Sequence, residues 1–236
     1  MSNRLEDNKS PYDSMTFGNP LSLRVDGAIG AMSVSPCGRD AVLAGRRGLF
    51  VIDLDDPHAI PRWLHHTTSW EVADVQWSPH PSKPSWVVST SNQKAMVWNL
   101  ARSSHNAIEH FLHWHTRAIT DINFHPDHPE ILATCSVDTS ILSWDMRAPK
   151  KPVHQWAEFN ASATQVKWNY MDPNILASSH DNYFYVWDVR KGAIPITKIV
   201  AHSARVNGID WSRNSASKII SCSNDETVKF WDYNKD

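Results

Sequence analysis

A unit of fewer than fifty residues recurs along this chain, and no other feature restricts its fold as strongly. Aligned on its aromatic-acidic pairs, the sequence reads VIDL from Val51, VWNL from Val97, SWDM from Ser143, VWDV from Val186 and FWDY from Phe230. The central residues Ile52, Trp98, Trp144, Trp187 and Trp231 stand 43 to 46 residues apart. A second motif keeps the same phase: MSVSP from Met32, VQWSP from Val75, INFHP from Ile122, VKWN from Val166 and IDWS from Ile209. Its alternation of apolar and polar residues predicts a half-buried strand. The runs LAG, VVSTS, ILATCS, ILASS and IISCS that follow predict buried central strands, with Pro-His, Pro-Asp-His-Pro and Asn-Asp-Glu as turns. Further strands are expected at Arg62 to His66, Glu109 to His113, Val153 to Glu158 and Ile196 to Val200.

A four-stranded sheet of this size cannot hide both of its faces, so the units must stack, and radial stacking gives a β-propeller. The expected architecture is all-β, with five recognisable blades at about 28–66, 70–113, 115–158, 161–200 and 202–236. Residues 1–20 read as a polar, disordered tail and 21–236 as the propeller, open or incomplete. The alternative is a closed five-bladed ring in which Leu21 to Val25 supplies the outer strand that the last repeat lacks.

In the third repeat His115, Thr134, Asp138 and Trp144 occupy the places where WD repeats carry a hydrogen-bonded His, Ser/Thr, Asp, Trp network, and the fifth matches with His202, Ser221, Asp225 and Trp231. An imidazole, a hydroxyl and an indole N–H between strands each need a partner, and the aspartate accepts. The fourth repeat keeps Ser178, Asp181 and Trp187 but has Phe159 at the histidine's place. The second has Thr68 and Asn92 near the His and Asp positions, and the first has lost nearly all of the set, so packing alone is expected to hold those two blades. Ser221, His202 and Asp225 are also the residue types of a nucleophilic triad. The set recurs once per repeat, however, and comes without a nucleophile elbow, so no catalytic residue is assigned.

Other chemistry finds little support. With 23 Lys+Arg against 25 Asp+Glu there is no electrostatic footprint for nucleic acid or an anionic membrane. No stretch is long and apolar enough for a membrane span, and the start lacks the apolar core of a signal peptide, so a cytoplasmic protein is expected. None of the 13 histidines falls in a metal-ligand spacing, and there is neither a P-loop nor a G-x-G-x-x-G. No metal and no cofactor is expected. Cys37, Cys135 and Cys222 read as small buried side chains in a reducing compartment. Partner contacts are expected instead from the loops of one propeller face, at Arg46, Arg47, Trp70, Arg117, Tyr183 and Arg205. Arg147 and Arg190 end W-D-x-R sequences similar to those of ubiquitin-ligase substrate receptors.

Taken in order, LAGRRGLFVIDLD from Leu43, WEVADVQWSPH from Trp70, STSNQ from Ser89, HTRAITDINFHP from His115, SATQVKWN from Ser162, SSHD from Ser178 and NDETVKFWDY from Asn224 resemble one family. It is the N-terminal propeller of the large WD-repeat subunit, with RWD and RING parts, of the SEA/GATOR complex. The resemblance implies a seven-bladed ring, of which this chain holds a part. It also implies a non-catalytic scaffold in a coat-like assembly at the vacuolar or lysosomal membrane that relays amino-acid sufficiency to TOR. Its partners would be other coat-like WD-repeat subunits, and it would reach the membrane through them rather than by insertion. Two alternatives stand beside it: a substrate receptor of a cullin-RING ligase, and a peptide-binding propeller of the histone-chaperone or peroxisomal-receptor kind, which HPDHPEILATCSVDTSILSWDMR from His125 also resembles.

Overall fold

Strand periodicity runs almost the full length of the computed structural model, which describes residues 25, 27–66, 70–157 and 160–235 and holds no α-helix among them. The first sheet contains β1 (Ile29–Val34), β2 (Asp40–Gly45), β3 (Gly48–Asp53) and β4 (Arg62–His65). The second contains β5 (Val75–Trp77), β6 (Trp86–Ser91), β7 (Lys94–Asn99) and β8 (Ile108–His113). The third contains β9 (Ile119–Phe124), β10 (Ile131–Ser136), β11 (Ser140–Asp145) and β12 (His154–Ala157). The fourth contains β13 (Ala163–Trp168), β14 (Ile175–His180), β15 (Tyr183–Asp188) and β16 (Thr197–Val200). The last contains β17 (Val206–Trp211), β18 (Lys218–Ser223) and β19 (Val228–Asp232), with no fourth strand among the described residues. Every sheet is an antiparallel meander.

The apolar core is divided into four slabs, each filled from two consecutive sheets. Leu49 and Leu64 of the first blade meet Trp77 and Trp98 of the second, and Trp86 and Leu112 of the second meet Ile122 and Trp144 of the third. Cys135 and Trp156 meet Trp168 and Trp187, and Phe184 and Val186 meet Ile209 and Trp211. In β6 and β14 all six residues are buried, because those strands have a sheet on each side. The array is therefore radial and open, an incomplete propeller. Its two end faces show apolar groups that the inner blades hide: Met32 is 68% exposed and Phe230 81%.

The sheets are tied as well as packed. At each of the four joints a residue in the innermost strand of one blade, or just ahead of it, sends a side-chain acceptor to the backbone of the next blade. Ser33 Oγ accepts the Trp77 N–H (2.9 Å), Asp74 Oδ2 that of Ile122 (3.1 Å), Asp121 Oδ2 that of Val166 (2.9 Å) and Gln165 Oε1 that of Ile209 (2.8 Å). Close approach fixes a glycine at the first joint, since a Cβ on Gly30 would sit 2.9 Å from the Val72 carbonyl.

Two expectations need correction. Cys37 and Cys222 are exposed, and only Cys135 is buried. Cys222 holds the same repeat position as Cys135 but lies on a face of the last blade that no other blade covers among the described residues. Packing alone does not hold the first two blades either. Trp98 Nε1 donates to Ser89 Oγ (2.9 Å) within the second. Arg62 of the first reaches across to the carbonyls of Leu100 (2.6 Å) and Arg102. Residues 1–20 and the strand expected at Leu21 to Val25 fall, but for Val25, outside the described residues, as do Thr68 and Phe159.

Candidate functional site

Antiparallel meanders send their loops alternately to the two ends of the blades, and the two ends carry different chemistry. One end receives the β2–β3, β6–β7, β10–β11, β14–β15 and β18–β19 turns together with the links between blades. It holds the four-residue networks and five of the expected contact residues at loop positions, with Tyr183 at the start of β15.

In the third blade Trp144 Nε1 donates to Thr134 Oγ1 (2.9 Å), which also contacts His115 Nε2 (2.8 Å), while His115 Nδ1 faces Asp138 Oδ2 (2.9 Å). The hydroxyl owns one proton and already accepts from the indole, so it donates to Nε2. The imidazole proton then sits on Nδ1 and points at the carboxylate. Burial alone would raise the Asp138 carboxyl, but the bonds from His115 and Ser140 outweigh it and hold the group well below the usual carboxylate range. The fifth blade repeats the relay from Trp231 to Ser221 (2.8 Å), to His202 (2.8 Å), to Asp225 (2.9 Å). Hydrogen bonding from Thr227 is the largest of the effects that lower the Asp225 carboxyl.

The fourth blade departs from the expected set. Trp187 Nε1 donates to Ser178 Oγ (2.8 Å), but the imidazole on that hydroxyl is His180 (2.9 Å), whose Nδ1 meets the Ala161 carbonyl (3.1 Å). His180 shares a strand face with Ser178 two residues away, so it fills the site without a histidine from the preceding link. Asp181, expected in the network, is the turn residue instead, at φ 46°, and its backbone carbonyl accepts the Val206 N–H.

The geometry of Ser221, His202 and Asp225 is that of a triad in distance only. Ser221 is 1% exposed and its Oγ already accepts the indole proton, so a substrate carbonyl has no approach to it. These networks fix strand register.

The remaining candidates divide by end. Arg46, Arg47, Arg117 and Arg205 are exposed and have neither an ion pair nor a side-chain hydrogen bond among the described residues. Trp70 is 59% exposed beside them, and Trp114, which sequence reasoning passed over, is 46% exposed. Tyr183 is engaged, with the Lys198 ammonium 4.1 Å over its ring. At the opposite end Arg147 and Arg190 fold back as forks onto Asp145 and Asp188 (closest approaches 2.6 and 2.8 Å).

Sequence reasoning also missed the inter-blade acceptors. Their signal was present: Asp74, Asp121 and Gln165 each stand three residues before an aromatic residue, Asp74 just ahead of β5 and the other two inside β9 and β13. Burial pushes the Asp121 carboxyl up, and the Lys167 ammonium at 2.8 Å opposes that shift. A further missed tie lies at the opposite end. His80 Nε2 donates to the His125 carbonyl (2.7 Å) and His125 Nε2 to that of Pro173 (2.9 Å). Burial lowers the His125 pKa to about 4, so at neutral pH its Nδ1 is free to accept the N–H groups of Asp127 and His128.

Among the described residues no cluster of His, Cys, Asp or Glu is placed to hold a metal ion, and no helix is long and apolar enough to cross a membrane.

Comparison with known proteins agrees with this geometry. Residues 107–145, 150–188 and 194–232 match the WD domain, G-beta repeat. Each matched segment begins shortly before the outer strand of one blade and ends on the third strand of the next, so every sequence repeat staples two sheets together. The chain is 62% identical over 228 residues to Maintenance of telomere capping protein 5 of Saccharomyces cerevisiae, covering 97% of this chain and 20% of that protein. It is 50% identical over 227 residues to an RWD, RING finger and WD repeat-containing protein of Schizosaccharomyces pombe, covering 95% of this chain and 17% of the relative. Against the human GATOR2 complex protein WDR59 the identity is 37% over 197 residues, 84% of this chain and 20% of the relative. The chain thus spans about one fifth of the length of these relatives.

Proposed function

The chain belongs to the WD40-repeat family, among the relatives of the GATOR2 complex protein WDR59, and from that place we propose that it is a non-catalytic protein-interaction scaffold. Its assembly is a coat-like complex that regulates TOR signalling in response to amino acids. Its partners are other WD-repeat subunits of that complex. They carry it to the vacuolar or lysosomal membrane, on which it lies peripherally.

One observation carries the reading: the network end of the blades bears exposed tryptophans and four arginines with no ion pair among the described residues. Desolvating an unpaired guanidinium gives little unless a partner supplies the acceptor. The polar groups of the networks beneath are already satisfied, so the blades supply rigidity and the loops supply contacts.

Affinity purification of the tagged chain followed by mass spectrometry tests this. Co-purification of coat-like WD-repeat subunits is expected, and their absence would contradict the scaffold role. The ligase reading draws less support, because one edge of each guanidinium, Nε with Nη2, is already bound to its own aspartate in Arg147 and Arg190. Arg147→Ala with Arg190→Ala is expected to leave partner binding unchanged.

A further inference from the structure

One concavity at the network end lies on the first blade. A cleft of about 620 Å³ is lined by Arg46, Arg47, Phe50, Trp63, His65 and Gly27. Its walls are of two kinds. On one side is the β2–β3 turn, where Arg46 and Arg47 follow one another between Gly45 and Gly48. On the other are the rings of Phe50 and Trp63, with centroids 4.3 Å apart, and His65, whose ring centroid lies 6.4 Å from that of Trp63.

The turn is held against β4 by a close approach. A Cβ on Gly48 would lie 2.2 Å from the Leu64 carbonyl oxygen, so only glycine lets the arginine turn sit this near the aromatic strand. The arginine turn is thereby held beside an apolar wall.

We propose that this cleft is the docking slot for an acidic segment of a protein partner, one that alternates carboxylates with apolar side chains. This rests on the scaffold reading above and names the chemistry of the partner. The carboxylates meet Arg46 and Arg47 as forked ion pairs, and the apolar side chains lie on Phe50 and Trp63. Charge decides the sign. Four other arginines already have an acid, Arg39 with Asp53 and Asp55, Arg102 with Glu109, Arg147 with Asp145 and Arg190 with Asp188, whereas Arg117 and Arg205 of the same end have none among the described residues and do not line the cleft. Arg46 and Arg47 have none among the described residues.

A bilayer fits this end less well than a peptide. Glu71, Asp181 and Glu226 are exposed on the same end of the blades and would face the phosphate layer of a flat anionic surface. A narrow segment laid in the cleft avoids them, and the net charge of -2 gives the chain no general attraction to an anionic membrane.

The test uses the whole chain and a short fluorescent peptide of alternating glutamate and phenylalanine, read by anisotropy. Binding is expected to weaken with added salt, since exposed charges are screened over about 8 Å at physiological ionic strength. Arg46→Glu with Arg47→Glu is expected to weaken it by about tenfold or more, with an unchanged thermal unfolding midpoint showing the blades intact. Arg147→Ala with Arg190→Ala, at the other end, is expected to change nothing. A peptide with lysine for glutamate is expected not to bind, nor are phosphatidylcholine vesicles containing phosphatidylserine. Equal affinity in the charge-reversed chain, no binding to the unaltered chain, or vesicle binding that depends on Arg46 and Arg47 would each overturn the proposal. These outcomes are separate from the scaffold reading: if co-purified subunits persist in the charge-reversed chain, the slot fails and the scaffold stands.

Discussion

The third and fifth blades carry the same four-residue relay with nearly the same distances, yet they live in different surroundings. Trp144 is fully buried, whereas its counterpart Trp231 is only partly so. Cys135 is buried and Cys222 exposed, and Ile141 is buried where Val228 is 57% exposed. Identical hydrogen bonds thus coexist with unequal burial. The relay sets register within a blade, and apolar stabilisation comes from the neighbour on each side.

Substitutions at paired positions should separate the two contributions. Ile141→Asp places an unpaired charge between the third and fourth blades and is expected to cost more than about 4 kcal/mol or to prevent folding. Val228→Asp, at the same repeat position in the fifth blade, is expected to stay within about 0.5 kcal/mol of the unaltered chain in denaturant unfolding. Next in size, Trp144→Ala should cost about 3–5 kcal/mol, and Trp231→Ala about half of that. Equal losses in the tryptophan pair would mean that the relay, not the neighbouring blade, carries the stability.

Acid should act on one joint and spare another. His125, at the junction of the third and fourth blades, must be neutral to accept at Nδ1, and burial lowers its pKa from 6.5 to about 4. A lowered histidine pKa means that the unfolded chain binds the proton first. The stability tied to His125 is therefore complete above pH 6.5 and is lost as pH falls towards 4. Asn169 occupies the same repeat position in the fourth blade and makes the same bonds without titrating: Oδ1 accepts from Met171 and Asp172, and Nδ2 donates to the Ala216 carbonyl. His125→Asn is expected to keep the joint and flatten the pH dependence of the unfolding midpoint between those values.

The smallest effect concerns the turns. Thr139 of the third blade and Glu226 of the fifth hold positive φ, 76° and 64°. Left-handed backbone costs a non-glycine residue roughly 1–2 kcal/mol, and glycine returns part of that as unfolded-state entropy. Thr139→Gly and Glu226→Gly are each expected to raise stability by up to about 1 kcal/mol, equally in both blades, because turn strain does not depend on neighbours.

Much of this was legible in the residues because a repeat repeats its physics. The Trp-Asp strands, the inner strands and the outer strands at Arg62 and Ile196 follow from periodicity, as do the relays headed by Trp144 and Trp231. What was hidden depends on contacts between units. Asp181 had the right spacing for the fourth relay, but spacing does not reveal that His180 on the same strand reaches Ser178 first. The ties from Ser33, Asp74, Asp121 and Gln165 join residues 44 to 48 positions apart and show in one dimension only as a polar residue inside a strand. Exposure of Cys222 could not be read from its repeat position, since the same position buries Cys135.

Hydrogen exchange resolved to single amides tests most directly the claim that each blade is held by its neighbours in an open array. Amides of β10, β11, β14 and β15 should exchange slowest and those of β18 and β19 much faster, although the third and fifth blades share the same relay. Equal protection in β11 and β19 would contradict the account, for it would mean that a blade with one bare face is as stable as a blade with none.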